Sequence, residues 1–298
     1  MARIAYVNGR YVPKAEATVH VEDRGNQFAD GVYEVLKVVD GRLSDGDRHF
    51  ARLHRSLAAL KLDAPMSDAA LAQVIRETVR RNKLKDATVY LQVSRGPAPR
   101  DHLFPPTAQP TLIVTAKRMK RPDPKSYAAG VDVVTAPDIR WLRCEIKSIS
   151  LLPNVLAKQA AKEQGAYEAW LVREGDVVTE ASASNAYIVD ADGVLRTHPT
   201  SPRILGGVTR SVVLELARDE GIPVDERPFS TAEIGAAREA FLTSTSSWVM
   251  PVVSVDGRAV GAGEPGPVTR RLQAAYHRHV FGNRQPAPSL VAAHAAAG

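Results

Sequence analysis

Two-residue turn signatures set inside alternating apolar segments constrain this chain most. Ile4 to Val12 alternates about Asn8-Gly9, and Val32 to Leu43 alternates about Asp40-Gly41. Asparagine, aspartate and glycine tolerate the positive φ of a type I′ turn, so each segment predicts a β-hairpin. The chain therefore opens as antiparallel sheet. Between sheet segments the period changes: Phe50, Leu53, Leu57 and Leu60 share one helical stripe from Asp47 to Leu62, while Arg48, Arg52 and Arg55 fall elsewhere. Ser67 caps a second helix through Leu71, Val74, Ile75 and Val79. Thr88 to Ser94 and Thr111 to Ala116 predict strands around a Pro- and Gly-rich loop, Arg95 to Pro110, long enough to carry function.

Lys117 to Lys125, with Pro122 and Pro124, breaks both periods and predicts a linker between a domain over 1–116 and a second over 126–282. In the second, Val131 to Thr135, Glu168 to Arg173, Val177 to Glu180, Ala240 to Thr243 and Val252 to Val260 predict strands, with a further hairpin about Asp192-Gly193. Helices are expected over Asn154 to Gln164, closed by Gly165, over Thr209 to Glu220, closed by Gly221, and over Val268 to Val280. Ser230 and Glu233 predict a capping box, and the Ala- and Pro-rich tail 283–298 predicts disorder. Strands grouped in hairpins with helices between groups argue for two α+β domains over one doubly wound sheet.

Composition removes several classes of function. No apolar run approaches the roughly 18 residues needed to span a bilayer, and the amino terminus has no signal-peptide core, so a cytoplasmic protein is expected. The single Cys144 excludes an internal disulfide and a cysteine-based zinc site, and reads as a buried structural residue. The net charge of +6 is spread through periodic segments. Its one dense cluster, Lys117 to Arg121, has no interleaved aromatics, so nucleic-acid binding is not expected. A basic chain of this kind suits small anions such as phosphates and carboxylates.

The apparent dinucleotide fingerprint Gly261-Ala262-Gly263-Glu264-Pro265-Gly266 fails, because Pro265 removes an amide where a phosphate would need one. No histidine falls in a zinc-hydrolase pattern; His277 and His279 lie on different helix faces, and no metal is expected. No G-x-S-x-G elbow presents a serine. Four stretches carry chemistry instead. Lys147 lies between Ile146 and Ile149 in a run suited to burial, with Ile149 to Leu152 reading as an apolar wall. It reads either as a solvated loop lysine or as a poorly hydrated amine able to attack a carbonyl. Gly206-Gly207-Val208-Thr209-Arg210 runs into a helix amino terminus, which is an ordinary capped turn or a phosphate seat. Thr243-Ser244-Thr245-Ser246-Ser247 follows a strand and offers hydroxyls to an anion. Glu180 ends a strand among small residues, where a flat ring can approach and a protonated ring nitrogen find a partner, and Arg100 and His102 offer a carboxylate clamp.

In order along the chain these stretches resemble class IV pyridoxal-phosphate aminotransferases, and most nearly the D-amino acid aminotransferases. The resemblance rests on Phe28-Ala29-Asp30-Gly31-Val32-Tyr33-Glu34-Val35, His49-Phe50-Ala51-Arg52-Leu53, Tyr90 to Gly96, Pro99-Arg100-Asp101-His102, the lysine stretch, Thr179 to Asn185, Leu205 to Arg210 and Ser244-Thr245. It implies the two-domain fold type IV, with an α/β sandwich-like amino-terminal domain and a pseudo-barrel carboxy-terminal domain, and pyridoxal 5′-phosphate as cofactor. It further implies that Lys147 binds the cofactor and moves the substrate Cα proton, that Glu180 keeps the ring nitrogen protonated, and that Leu205 packs on the ring. Arg52, Val208, Thr209, Ser244 and Thr245 match phosphate-holding positions. Tyr33, Tyr90, Arg100 and His102 match the carboxylate trap of D-specific members, with Arg100 and His102 reaching in from the second subunit of a homodimer. The implied reaction is a ping-pong transfer from a D-amino acid such as D-alanine to a 2-oxo acid such as 2-oxoglutarate. Branched-chain L-specific or (R)-amine transaminases, or a binding protein that keeps the fold, are the alternatives. Gly206 departs from the pattern, which has a larger polar residue there.

Overall fold

The structure is a computed structural model and describes residues 3–107 and 109–282. It divides into two compact units: the described residues up to Lys120 together with Ile146–Leu151, and Arg121–Glu145 together with the described residues from Leu152. The expected tail at 283–298 lies outside the described residues.

The first unit contains β1 (Ile4–Val7), β2 (Arg10–Pro13), α1 (Arg24–Phe28), β3 (Gly31–Val39), β4 (Arg42–Ser44), α2 (Gly46–Ala59), α3 (Asp68–Arg81), β5 (Ala87–Ser94) and β6 (Thr111–Arg118). Its six strands form one antiparallel sheet in the order β2-β1-β6-β5-β3-β4. Both expected hairpins are present, with positive φ at Asn8 and Gly9 and at Asp40 and Gly41. Register sets Val32, Glu34, Leu36 and Val38 of β3 beside Val93, Leu91, Val89 and Ala87 of β5. Because strand side chains alternate, this face packs on Leu53 and Leu57 of α2 and Leu71 and Ile75 of α3 as one core, while Tyr33, Tyr90 and Gln92 take the opposite face.

The second unit contains α4 (Pro124–Ala129), β7 (Val131–Pro137), α5 (Leu152–Glu163), β8 (Glu168–Arg173), β9 (Val177–Ala181), β10 (Asn185–Val189), β11 (Leu195–Arg196), α6 (Val208–Asp219), β12 (Val224–Asp225), β13 (Phe229–Ser230), α7 (Thr231–Ala236), β14 (Glu239–Ser244), β15 (Trp248–Val255), β16 (Arg258–Ala259) and α8 (Pro267–Phe281). The sheet is mixed, in the order β12-β11-β10-β14-β15-β7-β8-β9-β13, with β16 on β15. The β15–β7 and β7–β8 pairs are parallel. The capping box at Ser230 and Glu233 forms, and Gly165 takes φ 77° after α5. No helix among the described residues is long and apolar enough to cross a membrane.

Three expectations are corrected. Part of the stretch read as a linker is helical: Asp123 accepts from the Ser126 amide, and Pro124 occupies the first helical position, where a missing N–H costs nothing. Ile146–Leu151 returns to the first unit. The apolar wall expected after Lys147 is only partial: Leu152 is 69% exposed, while Ile149 and Leu151 are half-buried.

Candidate active site

Lys147 is held through its backbone. Its amide donates to Ser56 Oγ of α2 at 3.1 Å, and its carbonyl accepts from the Tyr33 amide at 2.9 Å. Ile149 donates to the Gly31 carbonyl at 3.1 Å, so the segment runs along the start of β3. The Lys147 Nζ then lies 4.0 Å from the Tyr33 ring centroid, an amine resting on an aromatic face. Tyr90 stacks on Tyr33 with centroids 5.7 Å apart. The Tyr90 hydroxyl donates to Gln92 Oε1 at 2.7 Å, and burial, then the neighbouring Tyr33, pushes its pKa up to about 12. It therefore remains a hydrogen-bond donor at neutral pH.

Arg52 projects from α2 toward the helical face of the sheet, where Glu34 takes it in a two-pronged pair at 2.7 Å on each prong. His49 Nδ1 bonds the same carboxylate at 2.8 Å, and all three residues are buried. Burial alone would raise the Glu34 pKa, but the Arg52 charge and the hydrogen bonds from Arg52 and His49 hold it at about 2. Burial lowers the His49 pKa against the pull of Glu34. The cluster is thus a carboxylate and a guanidinium with a neutral imidazole, and it fixes the guanidinium plane. Arg100 and His102 lie elsewhere in this unit, both exposed and both packed on Phe28, with the Arg100 guanidinium 5.0 Å and the His102 ring 5.5 Å from its centroid. Among the described residues no hydrogen bond, ion pair or ring contact joins them to Lys147, Tyr33 or Tyr90.

In the second unit Glu180, at the end of β9, is 5% exposed. It accepts from the Leu205 amide at 3.1 and 3.2 Å and from Asn185 Nδ2 at 2.9 Å, and it pairs with Arg140. Burial raises its pKa; the Arg140 charge and hydrogen bond, and the Leu205 amide, oppose the rise. Arg140 is itself held by Asp138, which also takes Arg173 at 2.9 Å and Thr179 at 2.8 Å. Burial would raise Asp138, yet these partners hold it at about 2.

Asn185 joins the parts of this half-site. Its Nδ2 also donates to the Leu205 carbonyl at 3.0 Å, and a Cβ at Gly207 would stand 2.1 Å from its Oδ1. A side chain at position 207 would therefore displace the Asn185 amide, directly before Val208 and Thr209, which open α6 without a side-chain cap. Such a helix start leaves amides for an anion. Asn185 pairs with Thr243 across β10 and β14, so Ser244 and Thr245 begin the turn at the same end of the sheet. Glu180, Leu205, Val208, Thr209, Ser244 and Thr245 are thus gathered by one asparagine and one sheet end. At Gly206 a Cβ would meet only Thr200 Cγ2 at 3.6 Å, so space does not dictate glycine there.

The donor sets suit a pyridine phosphate. A buried carboxylate with a raised proton affinity suits a protonated ring nitrogen, uncapped amides beside hydroxyls suit a phosphate, and a primary amine on an aromatic face suits a carbonyl. Sequence reasoning missed Arg140, Asp138, Glu34 and Gln92. The spacing of Asp138 and Arg140 was its only local signal, since the partners lie far apart in the chain. Cys144 is buried, and burial first pushes its thiol up to about 11, consistent with a structural role.

A family model described as amino-transferase class IV matches residues 31–255. The D-alanine aminotransferase of Bacillus licheniformis is 42% identical over 274 residues, 92% of this chain and 96% of that protein. That of Staphylococcus haemolyticus is 41% identical over 276 residues, covering 92% and 97%. Among solved structures, the branched-chain amino acid aminotransferase of Escherichia coli superposes with a TM-score of 0.85 at 26% identity, covering 96% of each chain. The branched-chain aminotransferase from the archaeon Thermoproteus uzoniensis, solved with norvaline, gives 0.84 at 27% identity, covering 94% and 96%. With this match, and a donor set suited to pyridoxal 5′-phosphate, the chain belongs to the class IV aminotransferases, enzymes that depend on that cofactor.

Proposed function

We propose that this enzyme moves the amino group of a D-amino acid, D-alanine being the type, to a 2-oxo acid of the 2-oxoglutarate type in two half-reactions. The observation that carries the chemistry is the Lys147 amine on the Tyr33 ring, fixed at its backbone and not at its tip. Pyridoxal 5′-phosphate, when bound, supplies the electron sink for the pair released at the substrate Cα. Lys147 Nζ would hold the cofactor and, when free of it, would take and return the substrate Cα proton. Glu180, whose charged form Arg140 and the Leu205 amide favour against burial, would face the ring nitrogen and hold its proton. Leu205 would pack on the ring, while Arg52, Val208, Thr209, Ser244 and Thr245 would bind the phosphate.

Tyr33 and Tyr90 provide one part of the substrate carboxylate trap, and Arg100 and His102 of a second subunit provide the other. A homodimer is supported by the exposure of these two residues and of the adjoining Leu103 and Phe104, 75% and 54% exposed. The D-amino acid reading over a branched-chain one is supported by the Pro99-Arg100-Asp101-His102 loop and by 41–42% identity to D-alanine aminotransferases against 26–27% to branched-chain enzymes. A half-reaction with D- and L-alanine tests it, with chiral analysis of the remaining alanine. Consumption of the D form supports the proposal, and consumption of the L form alone overturns it.

A further inference from the structure

The turn between β14 and β15 contains a conflict between backbone and side chain. Ser244 pairs with Trp248, leaving Thr245, Ser246 and Ser247 as a three-residue loop. Trp248, the paired residue just after the loop, takes left-handed backbone at φ 59°, a conformation suited to glycine or asparagine. A bulky residue persists in that region only when its surroundings over-determine it. The indole is 1% exposed and packs against Phe281 at 5.2 Å, Tyr127 at 6.0 Å and His277 at 6.3 Å between ring centroids. One side chain therefore ties the loop to α4 and α8.

The rest of the turn is tied at the same end. Tyr167 Oη and Ser247 Oγ are 2.9 Å apart, and the Ser247 amide donates to Ser244 Oγ at 2.9 Å. Ser247 and Trp248 are buried, while Ser244 and Thr245 at the opposite end are partly exposed. We infer that Trp248 is a positioning residue for the cofactor phosphate: burial of its indole offsets the backbone strain and fixes the Ser244–Thr245 end of the turn before the phosphate arrives. A glycine would relieve the strain but leave the turn free, so ordering it would weaken phosphate binding. The inference rests on the proposed phosphate role of Ser244 and Thr245.

The test compares pyridoxal 5′-phosphate with pyridoxal, which has the same ring and aldehyde but no phosphate, on full-length protein freed of cofactor. Trp248→Gly and Phe281→Ala are each expected to reduce the preference for the phosphorylated compound about tenfold, leaving pyridoxal affinity unchanged. Trp248→Phe, which retains an aromatic anchor, is expected to stay within about threefold of the parent. The double variant Trp248→Gly/Phe281→Ala should lose no more than Trp248→Gly alone, because Phe281 acts through the indole. Amide exchange across residues 244–247 should quicken in Trp248→Gly without cofactor. Unchanged phosphate preference in Trp248→Gly, or an equal loss for both compounds, overturns the inference. Should that variant fail to fold, Phe281→Ala carries the same comparison, and an unchanged phosphate preference there overturns the inference. A parent protein that binds both compounds equally would instead remove the phosphate seat itself.

Discussion

The two units hold their reactive groups in opposite ways. Lys147 in the first is fixed by its amide and carbonyl, and its Nζ only rests on a ring. Glu180 in the second is fixed at its tip, by Leu205, Asn185 and Arg140 together. In the proposed roles, an amine that would bind a carbonyl and carry a proton is served by a firm root and an end without rigid partners, and a carboxylate that would hold one proton on one ring atom by the reverse. The same contrast separates Arg52, locked in plane by Glu34, from Arg100, packed on Phe28 at the surface.

Substitutions can break this comparison in order of size. Lys147→Ala removes the amine and should lower turnover of D-alanine by about 10⁴-fold, measured in steady state; undiminished turnover would refute the lysine's role. Glu180→Gln keeps shape and loses charge, so kcat should fall on the order of 10²–10³ with KM changed far less. Glu34→Gln removes the buried carboxylate charge that pairs with Arg52 and should cost about 3–5 kcal/mol in denaturant unfolding, while the matching loss is absent from an exposed pair such as Arg80 with Glu77. Arg100→Ala should raise KM for D-alanine roughly tenfold or more and leave KM for a simple (R)-amine near its parent value, because only the carboxylate loses a charged partner. Equal losses would remove the trap.

The last expected effect is the acid limb of stability. Glu34 and Asp138 have pKa values held at about 2, below their ordinary 4.5 and 3.8. The unfolded chain therefore takes up protons first as pH falls, and the stabilisation present above about pH 4.5 is lost toward pH 2. His49, lowered by burial from 6.5, adds a loss that begins as pH drops below 6.5, since the native imidazole resists the proton the unfolded one accepts. Chemical denaturation across about pH 7 to 2 should show the fall, and Glu34→Gln should flatten the Glu34 part of it.

Much of the fold was legible because local physics agrees with it. The turns at Asn8-Gly9 and Asp40-Gly41 need backbone those residues tolerate, and the stripes of α2 and α3 face the sheet core. The helix α4 was hidden by reading Pro122 and Pro124 only as breakers, although Asp123 before Pro124 is also a helix start. The chemical types at Lys147, Glu180 and the two anion-suited turns were readable from composition at strand ends and helix starts. Arg140, Glu34 and Gln92 were not, because an ion pair or hydrogen bond across strands has no signature in the separate segments.

The sequence by itself determined the alternation of hairpins and helices, the glycine-led start of α6 and the set of side chains that can bind an anion, because these depend on residues within a turn of one another. Only the tertiary structure decided that Lys147 belongs to the first unit, beside Tyr33, and that Asn185 joins Glu180 to Leu205 and Gly207. It alone placed a tryptophan where the hairpin backbone suits glycine. These outcomes depend on contacts between residues distant in the chain, where burial and pairing override what each segment prefers alone.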